Sequence, residues 1–421
     1  MRFSSKYQKA LRRGVLTFAL LGSLPINYIY AQKSAIVSGE PKSIFTTEAA
    51  KEESKKNVPT LNDHLLYRRK ALLQLQSLPS NELQPITLEA RTTAEQRAGV
   101  RRIRIRGFQI ISDSETNFAG YSLGPGSPES QVAIIASDLA DSYLNQAAIK
   151  GIPLDSLKIE IINRPDSEPT NRVSYPRNFL YTAYIKSSAS DEQLEELRQA
   201  AERNSAIFNF IQKPQIVTGD INYEQTPQEV IIPEGGQPGL REYLKYKRIA
   251  YLHLQAEAQK REEERKNNPI TIGEKEPTGP IITVDSKTGV RRLQIRQFQI
   301  LHDNPTYLAG SDLGPSSKEH QLGVLTSCLT HIFLIQAAAG EIPLDSLEVS
   351  VKGTTDIRAG RAGFEKTPSY PYDIHYTVHV KSPAPIDQIE KLRDKVESVC
   401  PIYNLLKDEQ TIEGKIVRVG K

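Results

Sequence analysis

Apolar residues recur at three- and four-residue spacing in residues 64–76 (HLLYRRKALLQLQ) and again in 243–255 (YLKYKRIAYLHLQ), with charges between them. Each stretch predicts an amphipathic helix. Downstream of both, the period changes in the same order. Residues 101–111 alternate Ile103 and Ile105 against arginines and resume at Phe108 and Ile110, so the change of phase at Gly107 predicts a bulged strand. A loop with Gly120, Gly124 and Gly126 follows. Residues 128–150 and 318–340 are apolar on nearly every face and predict buried helices. Ser127 and Pro128 suit the N-cap and first turn of the first one. Leu347, Val349 and Val351 alternate as a strand, as do Ile374, Tyr376, Val378 and Val380. Ile386, Ile389, Leu392 and Val396 stripe a last helix over 385–399, with Cys400-Pro401 at its end. Strands, a buried helix, strands and a covering helix make an α+β unit.

That unit occurs twice. Residues 99–110 (GVRRIRIRGFQI) and 289–300 (GVRRLQIRQFQI) agree at nine of twelve positions. GIPLDSL at 151–157 returns as EIPLDSL at 341–347, and SYPRNFLYTAYIKS at 174–187 as SYPYDIHYTVHVKS at 369–382. The boundaries read as 61–219 and 241–421, joined by a Pro- and Gly-rich linker over 220–240. An offset of 190 residues places Asp138 opposite Cys328, and an offset of 195 places Ser205 opposite Cys400. Those are the only two cysteines, so one unit carries a dithiol and the other carries none.

Charge changes the picture at the start of the chain. Residues 1–31 hold Arg2, Lys6, Lys9, Arg12 and Arg13 and no acid, which accounts for the formal net charge of +4. A basic start, an apolar run and a small residue at Ala31 have the layout of a cleaved signal peptide. A periplasmic or secreted protein without stable membrane insertion is expected. Residues 32–60 are polar, lysine- and glutamate-rich, and read as a flexible tether. No later stretch reads as long and apolar enough to span a bilayer. The near-neutral remainder lacks a basic footprint for nucleic acid. Two cysteines are too few for a disulfide scaffold, although export permits a disulfide.

Cys328 sits in a helix apolar all round, where a buried inert thiol is the ordinary expectation. Three observations favour chemistry. The other cysteine ends the last helix of the same unit, Glu319 begins the helix that carries Cys328, and Asp138 puts a potential anion at the matching place. A cation facing that place in both units would explain an anion in each. Arg291, Arg292 and Arg296 are candidates, and Arg291 is preferred. Glu319 also suits a helix start by its charge alone. His331 lies one turn past Cys328, with Asp141 opposite it, and reads as a satisfied or exposed histidine. His375 and His379 share a strand face, and no Cys or His spacing matches a metal site. The G-x-S-x-G match at 120–124 runs into a Gly/Pro loop rather than a helix, so it is set aside.

The run 314–347 (GPSSKEHQLGVLTSCLTHIFLIQAAAGEIPLDSL) and the late Cys400-Pro401-Ile402-Tyr403-Asn404-Leu405 resemble the OsmC/Ohr superfamily of osmotically inducible and organic hydroperoxide resistance proteins. The resemblance covers residues 289–413 and, as a degenerate version, 99–215. It implies α+β units whose sheets wrap long central helices and which dimerise with sites at the interface. Two fused units would then form an intramolecular pseudo-dimer. Carried over, Cys328 is peroxidatic, Cys400 resolving, Glu319 the assisting carboxylate and Arg291 the activating arginine. The implied activity is reduction of organic hydroperoxides in an oxidative stress response. It needs no cofactor and no metal, takes an unidentified dithiol as reductant, and is compatible with a homo-oligomer. The alternative is a non-catalytic ligand-binding protein in which Cys328–Cys400 is a structural disulfide.

Overall fold

The leading periodic stretch folds as α1 (Leu61–Ser77), with Thr60 as N-cap and Asp63 closing a capping box. The chain continues through β1 (Ile86–Ala94), β2 (Arg101–Ile105), β3 (Phe108–Ser112), α2 (Ser127–Lys150), β4 (Ser156–Asn163), β5 (Phe179–Lys186), α3 (Asp191–Asn204), α4 (Ala206–Ile211) and β6 (Val217–Gln225). The order then recurs as α5 (Leu240–Asn267), β7 (Ile281–Val284), β8 (Arg291–Ile295), β9 (Phe298–His302), α6 (Ser317–Ala339), β10 (Ser346–Thr355), β11 (Tyr372–Ser382), α7 (Ile386–Val399), α8 (Pro401–Lys407) and β12 (Ile412–Arg418). This computed structural model describes residues 59–164, 174–229, 239–267 and 279–420. The expected signal peptide and nearly all of the expected tether lie outside the described residues.

Three local expectations are corrected. Gly107 is not in a bulge: Ile105 pairs with Phe108 across a two-residue turn in which Arg106 has φ +51°, and Arg296 repeats this at φ +52°. Gly126, not Ser127, caps α2. Residues 220–225, assigned to the linker by composition, form most of β6.

The two sheets do not follow the two sequence repeats. One has the order β3-β2-β1-β10-β11-β6 and the other β12-β5-β4-β7-β8-β9. In the first, β1 runs antiparallel to β10 (Ala90 beside Val351), and β6 runs parallel to β11. The second mirrors this, with β4 against β7 and β12 against β5. Four strands of one half therefore enclose two strands of the other half in each sheet. Instead of two tandem domains, Pro59–Lys421 forms one compact unit. An α+β fold stands, but its halves are folded through each other.

The apolar helices α2 and α6 pack together between these sheets. α6 is long and apolar enough to cross a membrane, contrary to the sequence-based expectation, yet most of it is buried inside the protein. Where the central helices meet, Gln131 and Gln321 exchange side-chain hydrogen bonds of 2.7 Å each. These residues are 190 apart, so a two-fold relation between the halves passes between them. The leading helices also reach across. Gly99 has φ +60° and a Cβ there would lie 2.1 Å from the Tyr243 ring; Gly289 has φ +69° with no room beside His64. Only glycine meets both demands, a left-handed backbone and a close approach.

Candidate functional site

Cys328 lies in the middle of α6 and Cys400 caps the N-terminus of α8. Their sulfurs are 3.3 Å apart and both are free thiols. The sequence separation of 72 residues is thus closed by α7 and α8 folding back onto α6. Both side chains are buried, Cys328 at 2 % exposure and Cys400 at 0 %. Burial pushes the Cys400 thiol well up, helped by its contact with Cys328 and opposed by the Tyr403 and Ile402 N–H groups of α8.

Asp138 and Ser205 occupy the matching place in the other half. Ser205 Oγ donates to Asp138 Oδ2 at 2.6 Å, and Ile207 N–H donates to the same oxygen at 2.8 Å. The equivalences Asp138/Cys328 and Ser205/Cys400 therefore hold in space. Cations act on both places, Arg101 on Cys328 and Arg291 and Lys318 on Asp138. The hydrogen-bond partners of Asp138 are a hydroxyl and the N-terminus of α4, and burial raises its carboxyl against the charge of Lys318.

Arg291 is placed away from the thiols. β8 packs on α2, not on α6, and Arg291 Nη1 meets Asp141 Oδ1 at 2.5 Å. Arg101 from β2 faces α6 instead, so the arginine at the dithiol comes from the cysteine-free half. Arg101 Nη2 donates to Ser112 Oγ at 3.1 Å and its Nε to Ser327 Oγ at 3.4 Å. Ser327 also accepts from Ser127 at 3.2 Å. Arg101 Nη1 has no hydrogen-bond partner among the described residues, although the side chain is 1 % exposed. Burial draws the guanidinium down to about 10 against the opposing charges of Asp113, Tyr243 and Cys328.

Glu319 is also set apart. It lies nine residues before Cys328, about 13 Å along the axis at 1.5 Å per residue. Its oxygens cap Ser316 N–H at 2.8 Å and pair with Arg106 Nε at 2.5 Å, while Arg106 also holds Asp312 at 2.9 Å. These contacts tie the β2–β3 turn to the start of α6; they do not reach the thiols.

Three further residues complete the surroundings of Arg101. Lys247 of α5 is fully buried, with Nζ 2.7 Å from Phe118 O, 3.2 Å from Ser114 Oγ and 3.5 Å from the centre of the Phe118 ring. Burial, aided by Arg101, brings its ammonium down to about 7, with Asp113 opposing. His331 Nε2 lies 3.0 Å from Ser114 Oγ. Burial and the neighbouring Arg101 and Lys247 push its basicity well below the usual histidine range. Asp113 is occupied by the N–H groups of Ser114, Tyr121 and Leu123. His375 and His379 sit on a strand face with Thr218, Asp220, Asn222 and Ser350, remote from this cluster.

Arg101 and Lys247 had sequence signals. Arg101 stands opposite Arg291 at the offset of 190, and Lys247 stands opposite Arg68 in the two leading helices. Choosing the arginine from the cysteine-bearing repeat assumed that each repeat supplies its own site.

Residues 310–415 match the family model described as OsmC-like protein. No curated protein matches the chain. Among solved structures, an OsmC-like protein from Mycoplasma pneumoniae is 19 % identical over 35 % of this chain and 99 % of its own, with a TM-score of 0.27. An OsmC-like protein of unknown function from Vibrio cholerae is 14 % identical over 30 % of this chain and 92 % of its own, at TM-score 0.25. The organic hydroperoxide resistance protein OsmC from Legionella pneumophila is 14 % identical over 34 % and 98 %, also at 0.25. The stretch from residue 310 to residue 415, which contains both cysteines, is similar to the OsmC-like family.

Proposed function

We propose that the chain is a tandem duplication of an OsmC-like unit that acts as a thiol-dependent peroxidase on organic hydroperoxides, Cys328 being peroxidatic and Cys400 resolving. One observation carries this reading: two reduced sulfurs 3.3 Å apart, with a buried arginine that holds Ser327, next to Cys328 in the chain, and keeps a donor free. A cation beside a thiol favours the thiolate, which is the nucleophile. Cys328 sulfur attacks the distal peroxide oxygen, the O–O bond breaks, and the alkoxide leaves with a proton as alcohol. Cys328 is then a sulfenic acid. Cys400 sulfur attacks Cys328 sulfur, the S–O bond breaks, and hydroxide leaves with the Cys400 proton as water. A dithiol reduces the resulting disulfide by exchange and is itself oxidised to a disulfide. Because Cys328 is 2 % exposed, a peroxide would reach it only after covering side chains move aside. The basic and apolar start of the chain supports export, which would require a periplasmic or extracellular dithiol.

The rival reading, a binding protein with a static dithiol or disulfide, draws on the burial of both sulfurs. Mixing reduced protein with cumene hydroperoxide and counting thiols separates the two. The peroxidase loses both thiols rapidly. Cys328→Ser abolishes peroxide consumption, whereas Cys400→Ser consumes one equivalent and leaves a sulfenic acid that dimedone traps. Equal behaviour of the two variants would overturn the assignment.

A further inference from the structure

The two halves carry a different group at one position, Asp141 in one and His331 in the other. Asp141, on the third residue after Asp138, takes Arg291 Nη1 at 2.5 Å, Arg68 Nη1 at 2.6 Å and Asn304 Nδ2 at 2.8 Å. Arg291 is consequently drawn to Asp141 and Asn304. His331 stands at the same place, the third residue after Cys328, and is turned to Ser114 and Lys247. Arg101 then rests on Ser112 and Ser327 through Nη2 and Nε, and its Nη1 is the atom left over. The halves differ in which guanidinium atom is committed, and the side chain at 141 or 331 accounts for the difference.

We propose that position 331 decides whether Arg101 is available: with no carboxylate in this place, Arg101 Nη1 stays free for the Cys328 sulfur. Arg101 is surrounded by Asp113, Tyr243, Lys247 and Cys328, and Asp113 is already committed to three backbone N–H groups. A carboxylate at 331 would lie between Arg101 and Lys247, as Asp141 lies between Arg291 and Arg68. It would capture Arg101 as Asp141 captures Arg291. The inference rests on Cys328 being the reactive thiol, but not on peroxide being its substrate.

The test is the rate of Cys328 alkylation by iodoacetamide as a function of pH in the reduced full chain, with the alkylated residue identified by peptide mapping. His331→Asp should slow alkylation at pH 7 by about tenfold or more and move the midpoint of the profile upward, since the thiolate loses its cation. His331→Asn, neutral like the native side chain, should keep the wild-type profile. Ser114→Asp offers a second way to place a carboxylate against Lys247 and should act like His331→Asp if that variant folds poorly. Wild-type profiles in both carboxylate variants would overturn the inference, as would equal slowing by His331→Asn. A wild-type protein that alkylates readily yet consumes no cumene hydroperoxide would sink the peroxidase reading and leave this one standing.

Discussion

On the cysteine side of the molecule a buried arginine and a buried lysine, Arg101 and Lys247, face two thiols, a histidine and a serine. On the aspartate side two buried arginines, Arg291 and Arg68, face two aspartates, a serine and an asparagine. The second set is neutralised in charge from within, although Arg68 Nε and Nη2 and Arg291 Nε, like Arg101 Nη1, have no hydrogen-bond partner among the described residues. Burial alone would raise the Asp141 carboxyl, but the charges of Arg291 and Arg68 and the hydrogen bonds from Arg68 and Asn304 hold it well below the usual carboxylate range. The first set has cations without a dedicated carboxylate, because the nearby Asp113 is spent on backbone N–H groups. A pair of buried charges that satisfy each other makes a fixed structural joint, whereas an unpaired donor beside a sulfur is a chemical resource. The scaffold is shared; a few side chains decide which of the two it holds.

The largest test of this comparison removes one side altogether. A chain starting at residue 238 keeps both cysteines but lacks β1, β4, β5 and β6, the partners of β10, β7, β12 and β11. Its open strand edges should drive it to aggregate or to dimerise by exchange with a second copy, where Arg291 would take the place of Arg101. Light scattering during gel filtration reads the mass. A monomer with the full chain's melting temperature and thiol reactivity would break the picture of interlocked halves.

The arginines should separate cleanly. Arg101→Met should slow Cys328 alkylation at pH 7 by about tenfold or more while costing little stability, because its hydrogen-bond partners are hydroxyls. Arg291→Met should leave alkylation unchanged and cost about 3–5 kcal/mol in urea unfolding, as a broken buried ion pair does. The opposite pattern would return the activating role to Arg291.

A smaller effect is expected at Asp138. Asp138→Leu leaves the Ser205 hydroxyl and the Ile207 N–H unpaired, which should cost about 1–3 kcal/mol. A loss as large as that of Arg291→Met would show that the charges of Arg291 and Lys318, rather than these two hydrogen bonds, hold Asp138.

The subtlest contrast is in pH dependence. Lys247, brought down to about 7 by burial, differs from its unfolded value of about 10.4. Between those values the unfolded chain holds the proton and the folded chain does not, so this group makes stability rise with pH across that window. Lys247→Met should flatten the rise, giving the variant its greatest relative advantage near pH 7 and the least near pH 10. Parallel stability curves for the two proteins would place the ammonium in water.

Much of this was legible along the chain. The helical and alternating periods of residues 64–76, 128–150, 347–351 and 386–396 mark α1, α2, β10 and α7, because the period of apolar positions records which face is buried. The offsets between repeats set Asp138 opposite Cys328 and Ser205 opposite Cys400, and in space Asp138 meets Ser205 as Cys328 meets Cys400. A period does not record which segment covers the buried face. β1 carries the same alternation whether it lies beside β4 of its own half or β10 of the other, so the exchange was silent in the sequence and the arginine was assigned to the wrong side. Glu319 was misplaced for a related reason: a helix start explains an acidic residue equally well wherever the catalytic groups lie. Lys247 and Ser114 are 133 residues apart and joined only by the fold. The sequence by itself determined most of the longer elements, the repeated scaffold and the equivalence of dithiol and Asp–Ser pair. Only the tertiary structure decided which half supplies the cation, because halves with the same apolar pattern offer like faces to either partner and the choice between them is made in three dimensions.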